Sequence, residues 1–148
     1  MAIQTTTVRI ARHFQASAKC VFDAWFDSHT AGQWLFATPA GQMLRVEINA
    51  RIGGGFVFVE RRNGEDIEHI GEYLEIERPR RLVFTFVVSK YSSVYTRVTI
   101  EIEPSRAGCE LTLVHEGVLA EYEKLTQSGW KVILEALSAN LVPEVGTD

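Results

Sequence analysis

Cysteine is scarce in this sequence: Cys20 and Cys109 are the only two, far apart and outside any Cys-x-x-Cys or Cys/His spacing. That pattern excludes a disulfide framework and a zinc site, and both side chains are expected to be buried, reduced thiols. Uninterrupted apolar runs are short as well. None approaches the roughly 20 residues that span a bilayer, so no membrane partner is expected. The start, Met-Ala-Ile-Gln-Thr-Thr-Thr, has neither a basic n-region nor an apolar h-region, which makes a cytoplasmic address the default expectation. Positive charge is in deficit, with 15 Lys and Arg against 19 Asp and Glu for a net charge of −4. Phosphate binding rests on a concentrated positive field, so nucleic acid is not expected as a partner. The local groups Arg61-Arg62 and Arg78/Arg80/Arg81 flank turn signals and read as solvated hairpin ends. Also missing are a Gly-x-Ser-x-Gly elbow, a His-Glu-x-x-His helix and a Walker loop; Gly53-Gly54-Gly55 lacks the following Lys-Ser/Thr and reads as a turn. No cofactor and no metal are expected.

What is present is a chain of 148 residues, 46% hydrophobic and 10% aromatic, long enough for one domain over 1–148 with a substantial core. No internal repeat or linker divides it. Thr5 to His13 reads as a first strand, with Val8 and Ile10 set against Arg9 and Arg12. Ser17 can cap a helix from Ala18 to Phe26, and Asp27-Ser28 a second short helix ending near Trp34. Strands then follow in succession: Met43 to Ile48 with Leu44, Val46 and Ile48 on one face, Phe56 to Glu60, and Ile67 to Glu77 after the hairpin signal Asn63-Gly64. Leu82 to Val87 and Val94 to Glu103 alternate in the same way, Pro104 to Gly108 turns, and Glu110 to Glu116 closes the set. The short turns predict an antiparallel meander.

The last third carries one long amphipathic helix. From Tyr122 to Leu141, residues Tyr122, Trp130, Ile133, Leu134, Leu137 and Leu141 share a face, with Lys124, Ser128, Lys131 and Glu135 opposite. A face that broad needs a sheet to cover. If the sheet is bent, one helix laid across it leaves an interior wide enough to contain a small apolar molecule.

A series of short motifs then resembles a known family. Ala18-Lys-Cys-Val-Phe-Asp-Ala-Trp25, Gly32-Gln-Trp34, Ile52-Gly-Gly-Gly55, the run His69 to Pro79, Arg81-Leu-Val-Phe-Thr85, Leu111-Thr-Leu-Val-His-Glu-Gly117 and Gly129-Trp130 appear in its order. The family is the one named after the activator of heat-shock-protein-90 ATPase, within the helix-grip superfamily that includes START domains. The resemblance covers about Val8 to Leu141 and implies an α+β helix-grip fold. In it a seven-stranded curved antiparallel sheet wraps around a long C-terminal helix, with two short helices between strands 1 and 2 and a cavity between sheet and helix. Relatives of this length are implied to bind apolar ligands, cyclise polyketides or serve in stress responses. The co-chaperone itself has a further N-terminal domain for which this chain has no room. Fold alone does not choose among these roles.

Strand parity and the helix face nominate the cavity lining: Trp34, Phe56, Phe58, His69, Tyr73, Phe84, Phe86, Val98, Leu113, His115, Trp130, Ile133, Leu134 and Leu137. Any one of these is also an ordinary core residue; together they describe a pocket for a small hydrophobic, ring-containing ligand. The polar groups that would orient it are His69, Tyr73 and His115. His69 and Tyr73 share a face unless Gly71 introduces a bulge that reverses parity. His115 can equally be a core histidine bonded to a neighbouring strand or to the helix. The alternative is a cyclase- or hydrolase-like enzyme using the same His and Tyr side chains as proton donors or acceptors. A second alternative is a module that docks on a chaperone.

Overall fold

The computed structural model describes residues 4–89 and 94–141; the readings that reach 1–3, 90–93 and 142–148 lie outside them. Seven strands form one antiparallel sheet: β1 (Thr5–Phe14), β2 (Gln42–Ile48), β3 (Gly55–Arg62), β4 (Glu65–Glu77), β5 (Arg81–Val88), β6 (Thr96–Ser105) and β7 (Gly108–Leu119). Their order across the sheet is β1-β7-β6-β5-β4-β3-β2, a meander from β2 to β7 with β1 added at the far edge. Between β1 and β2 lie α1 (Ala18–Ala24) and a single 3-10 turn (Ala31–Gln33); after β7 a 3-10 turn (Ala120–Tyr122) leads into α2 (Glu123–Asn140). This is the α+β helix-grip architecture. No helix among the described residues is long and apolar enough to cross a membrane.

Local chemistry explains the elements. Ser17 caps α1 by accepting the Cys20 N–H at 3.1 Å. The curved sheet turns one face inward, and Val8, Ile10, Phe58, Leu82, Phe84, Val98, Ile100, Leu111 and Leu113 on that face join one buried core with Trp130, Leu134 and Leu137 of α2. Cys109 is fully buried and Cys20 half-buried.

Several expected details differ, each for a physical reason. Leu44 is exposed rather than inward, because a bulge between Met43 and Arg45 turns Met43 to the core in its place. Arg12 lies on the same side of β1 as Val8 and Ile10, at the sheet edge, where it reaches Glu135 of α2 at 2.8 Å. The closing strand does not end at Glu116. Gly117, at φ +85°, absorbs the extra residue where the β1–β7 register shifts, and pairing resumes through Leu119. Val94 and Tyr95 precede β6 and are exposed, and β6 runs through Pro104 to Ser105 before the chain turns. Tyr122, expected on the helix face, stands before α2 and is exposed.

Candidate functional site

The polar candidates are set by register. The register of β4 against β5 is unshifted from His69 to Tyr73, so both side chains face inward and the bulge falls at Leu74. Gly71 has a different use. A Cβ there would lie 1.9 Å from the Thr85 carbonyl oxygen and 2.5 Å from the Phe56 ring, so its absence lets that ring lie across the strand.

His115 is bonded at both nitrogens. Trp130 Nε1–H, a donor only, gives to Nδ1 at 3.0 Å, so the proton of the neutral ring sits on Nε2. That nitrogen donates to Thr96 Oγ1 at 2.7 Å, and the Thr96 hydroxyl donates onward to the Phe86 carbonyl at 2.8 Å. The chain Trp130, His115, Thr96, Phe86 thus ties α2 to β7, β6 and β5. Burial lowers the His115 pKa to about 4.

His69 is arranged with the opposite tautomer. Its Nδ1–H donates to the Phe58 carbonyl at 3.2 Å, leaving the Nε2 lone pair 3.4 Å from Nη2 of Arg62. Desolvation, with the nearby Arg62 charge assisting, lowers this pKa to about 4 as well. Burial also pushes the Tyr73 phenol far above its usual value, so it stays protonated. Neither histidine has a ring nitrogen free to exchange protons with a bound molecule.

Between sheet and helix the Phe36 ring packs against His69, Phe86 and Trp130. A hollow of about 10 Å³, room for at most about one water, lies between Trp25, Leu35, Phe36, Phe56, Tyr73 and Phe84, with no residue of α2 in its lining. Phe36 is a residue that periodicity could not nominate, because it lies on the loop between the 3-10 turn and β2. Its ring stacks on His69 (4.8 Å, 11°) and on Phe86 (4.9 Å, 3°), and meets Phe58 and Trp130 edge-on at 5.3 and 6.0 Å. Phe36 holds φ +60°, a left-handed conformation that a bulky side chain rarely adopts. A larger open groove, about 610 Å³, crosses β3, β4 and β5 beside Gly53–Gly55 and Tyr95; of the nominated residues it touches only Phe56.

A buried ion pair fastens this loop. Glu60, 1% exposed, faces inward from β3 and receives the Thr38 N–H and hydroxyl on one oxygen at 2.6 and 2.8 Å, and Arg62 Nε on the other. Arg62 Nη2 also reaches the Phe36 carbonyl at 3.4 Å. Sequence reasoning put Arg62 at a solvated hairpin end and left Glu60 without a role; an Arg two residues after an acidic residue on one strand face was the available signal. The Trp25 indole N–H, also at the small hollow, is buried with no hydrogen-bond partner among the described residues.

The nominated residues therefore divide. Phe56, Phe58, His69, Tyr73, Phe84, Phe86 and Trp130 gather around Phe36 or its ring neighbours. Trp34 packs edge-on against Trp25 at 4.8 Å. Val98, Leu113, Leu134 and Leu137 are fully buried members of the core, with Ile133 half-buried beside them. No cluster of His, Cys, Asp or Glu suited to a metal occurs among the described residues.

Residues 15–141 match the family model described as Activator of Hsp90 ATPase homolog 1-like protein. Protein CV1439 from Chromobacterium violaceum is 26% identical, superposes with a TM-score of 0.84, and the match covers 93% of this chain and 98% of that one. An AHSA1-like protein from Aeromonas hydrophila, solved by solution NMR, is 18% identical with a TM-score of 0.80 over 97% of this chain and 100% of the other. SA2116 from Staphylococcus aureus, described as a protein of unknown function, superposes with a TM-score of 0.83 at 15% identity, covering 93% of each chain. No curated protein matches.

Proposed function

The chain belongs to the family of activator of Hsp90 ATPase homolog 1-like proteins, and on that premise we propose that it binds a small, mostly apolar, ring-bearing molecule between the sheet and α2. One observation carries the reading: the Phe36 ring comes from a loop, while the rings it stacks on and meets edge-on, Phe58, His69, Phe86 and Trp130, come from the sheet and α2. Sheet and helix are held by many cooperative bonds, whereas the loop is held by the Glu60 and Arg62 contacts and by the packing of Phe36, a smaller set that can open without unfolding the walls. A ligand ring that takes the place of Phe36 recovers the same stacking and buried area, so exchange requires no rebuilding of the walls.

Titration of the protein with hydrophobic fluorescent probes and aromatic metabolites, with native mass spectrometry of freshly purified material, tests the proposal. Binding of one molecule per chain is expected. Failure of every probe to bind a folded sample would overturn it. The enzyme reading has less support, since both histidines have committed their ring nitrogens and Tyr73 stays protonated. A partner-docking reading rests on a different observation. Leu125 and Val132, two turns apart on α2, are 71% and 53% exposed and form an apolar stripe. Retention of a chaperone by the wild type and its loss in Leu125→Glu would favour that second reading.

A further inference from the structure

We propose that the segment Phe36–Thr38 is a built-in stand-in for the ligand, and that the ligand it imitates is a planar aromatic ring bearing a neutral amide, an aryl carboxamide in chemical class. This rests on the binding site proposed above and goes beyond it in naming the polar half of the molecule.

The segment offers one ring, one carbonyl and one N–H, each matched by a separate wall group. The ring lies across His69 and Phe86, whose own rings are 6.1 Å apart, in two offset and nearly parallel stacks at 4.8 and 4.9 Å. The Phe36 carbonyl accepts from Arg62, and the Thr38 N–H donates to Glu60 at 2.6 Å. When the loop leaves, ring slot, donor and acceptor become free together. A bare hydrocarbon ring would fill the slot and leave Glu60 and Arg62 without the bonds the loop had supplied. Net charge on the molecule is disfavoured in both directions. An arylcarboxylate would set its charge beside the Glu60 carboxylate, and an arylammonium would meet the Arg62 guanidinium; a neutral group with one acceptor and one donor suits the pair.

Two further features bear on release. Phe36 returns to an ordinary backbone conformation when it departs, which offsets part of the lost stacking. Gly41 closes the loop against Glu60, where a Cβ would lie 2.0 Å from Oε2, so the loop meets the carboxylate at both ends.

The test compares benzamide, benzoate and toluene, which share a ring size, on the wild type, Phe36→Ala and Phe36→Ala/Arg62→Leu, by calorimetry or ligand-observed NMR. Phe36→Ala is expected to bind benzamide at least about tenfold more tightly than the wild type does, and about tenfold more tightly than it binds toluene or benzoate. Adding Arg62→Leu is expected to bring benzamide to the level of toluene. Equal binding of toluene and benzamide by Phe36→Ala would overturn the amide assignment and leave the apolar container standing. Binding of none of the three by a folded Phe36→Ala overturns the stand-in itself, while the probe panel on the wild type judges the container separately. A second measurement needs no variant. Saturating benzamide should speed hydrogen exchange at the Thr38 amide of the wild type while strand amides stay protected, and an unchanged Thr38 rate counts against the proposal.

Discussion

The Trp130 indole N–H donates to Nδ1 of His115 at 3.0 Å, joining the centre of α2 to β7 through a ring that this bond keeps neutral. The indole is 3% exposed, so packing and hydrogen bonding act at one point. Trp130→Ala is expected to destabilise by about 3–5 kcal/mol, as for other large buried aromatic truncations. Trp130→Phe keeps a buried ring but leaves Nδ1 without its donor, and about 1–3 kcal/mol is expected. Urea unfolding followed by circular dichroism measures both; a change near zero for the alanine variant would place the indole outside the core.

The two histidines make stability depend on pH. Each has a pKa near 4 in the folded protein, chiefly through desolvation, against 6.5 for an unperturbed imidazole. Between these values the unfolded chain binds more protons than the native one, so stability rises with pH across that window. The contribution is complete above about pH 6.5 and is lost as pH falls towards 4, at most on the order of 3 kcal/mol per ring. Unfolding free energies measured from pH 7.5 down to pH 4 should fall with this sign, and a His69→Gln/His115→Gln variant should show a flatter profile. A flat wild-type profile would mean that the rings are not buried in the neutral form.

Period-2 alternation places Tyr73, Phe84, Phe86 and His115 on the inward face, and His69 with them on the condition that Gly71 makes no bulge, which the unshifted register there meets. It fails at Leu44, where a bulge turns Met43 inward in its place while Val46 and Ile48 keep the expected face. The place of the Phe36 ring was not legible for a related reason. Phe36 lies in a loop with no period, and only its left-handed backbone aims the ring inward. Glu60 escaped notice because burial of a charge depends on partners brought from elsewhere in the fold, here Thr38 and Arg62.

That same pair supplies a test of how the loop is held. Glu60 accepts three hydrogen bonds while 1% exposed, and Arg62 is itself only a third exposed. Glu60→Ala removes the acceptor for Thr38 and unpairs the guanidinium, for which about 1.5–3 kcal/mol of lost stability is expected. The Phe36–Thr38 loop should also become more susceptible to proteolysis than the strands it covers. Unchanged stability together with an unchanged cleavage pattern would show that the carboxylate does not fasten the loop.

Two glycines from the motifs that first suggested the family should respond in opposite directions to alanine. Gly71 lies against the Thr85 carbonyl and the Phe56 ring, so Gly71→Ala must displace a wall of the site and is expected to destabilise by about 1–3 kcal/mol or more. Gly129, inside α2, has nothing within 4 Å of the position a Cβ would take. Only the helix-propensity effect remains there, and Gly129→Ala is expected to stabilise by about 0.5–1 kcal/mol. Gly129 lies between Leu125 and Val132 along the exposed side of α2, which gives its substitution a second use. If Gly129→Ala stabilises the isolated chain but reduces capture of a chaperone, the glycine serves close approach by another protein; if capture is unchanged, its open side serves no such contact.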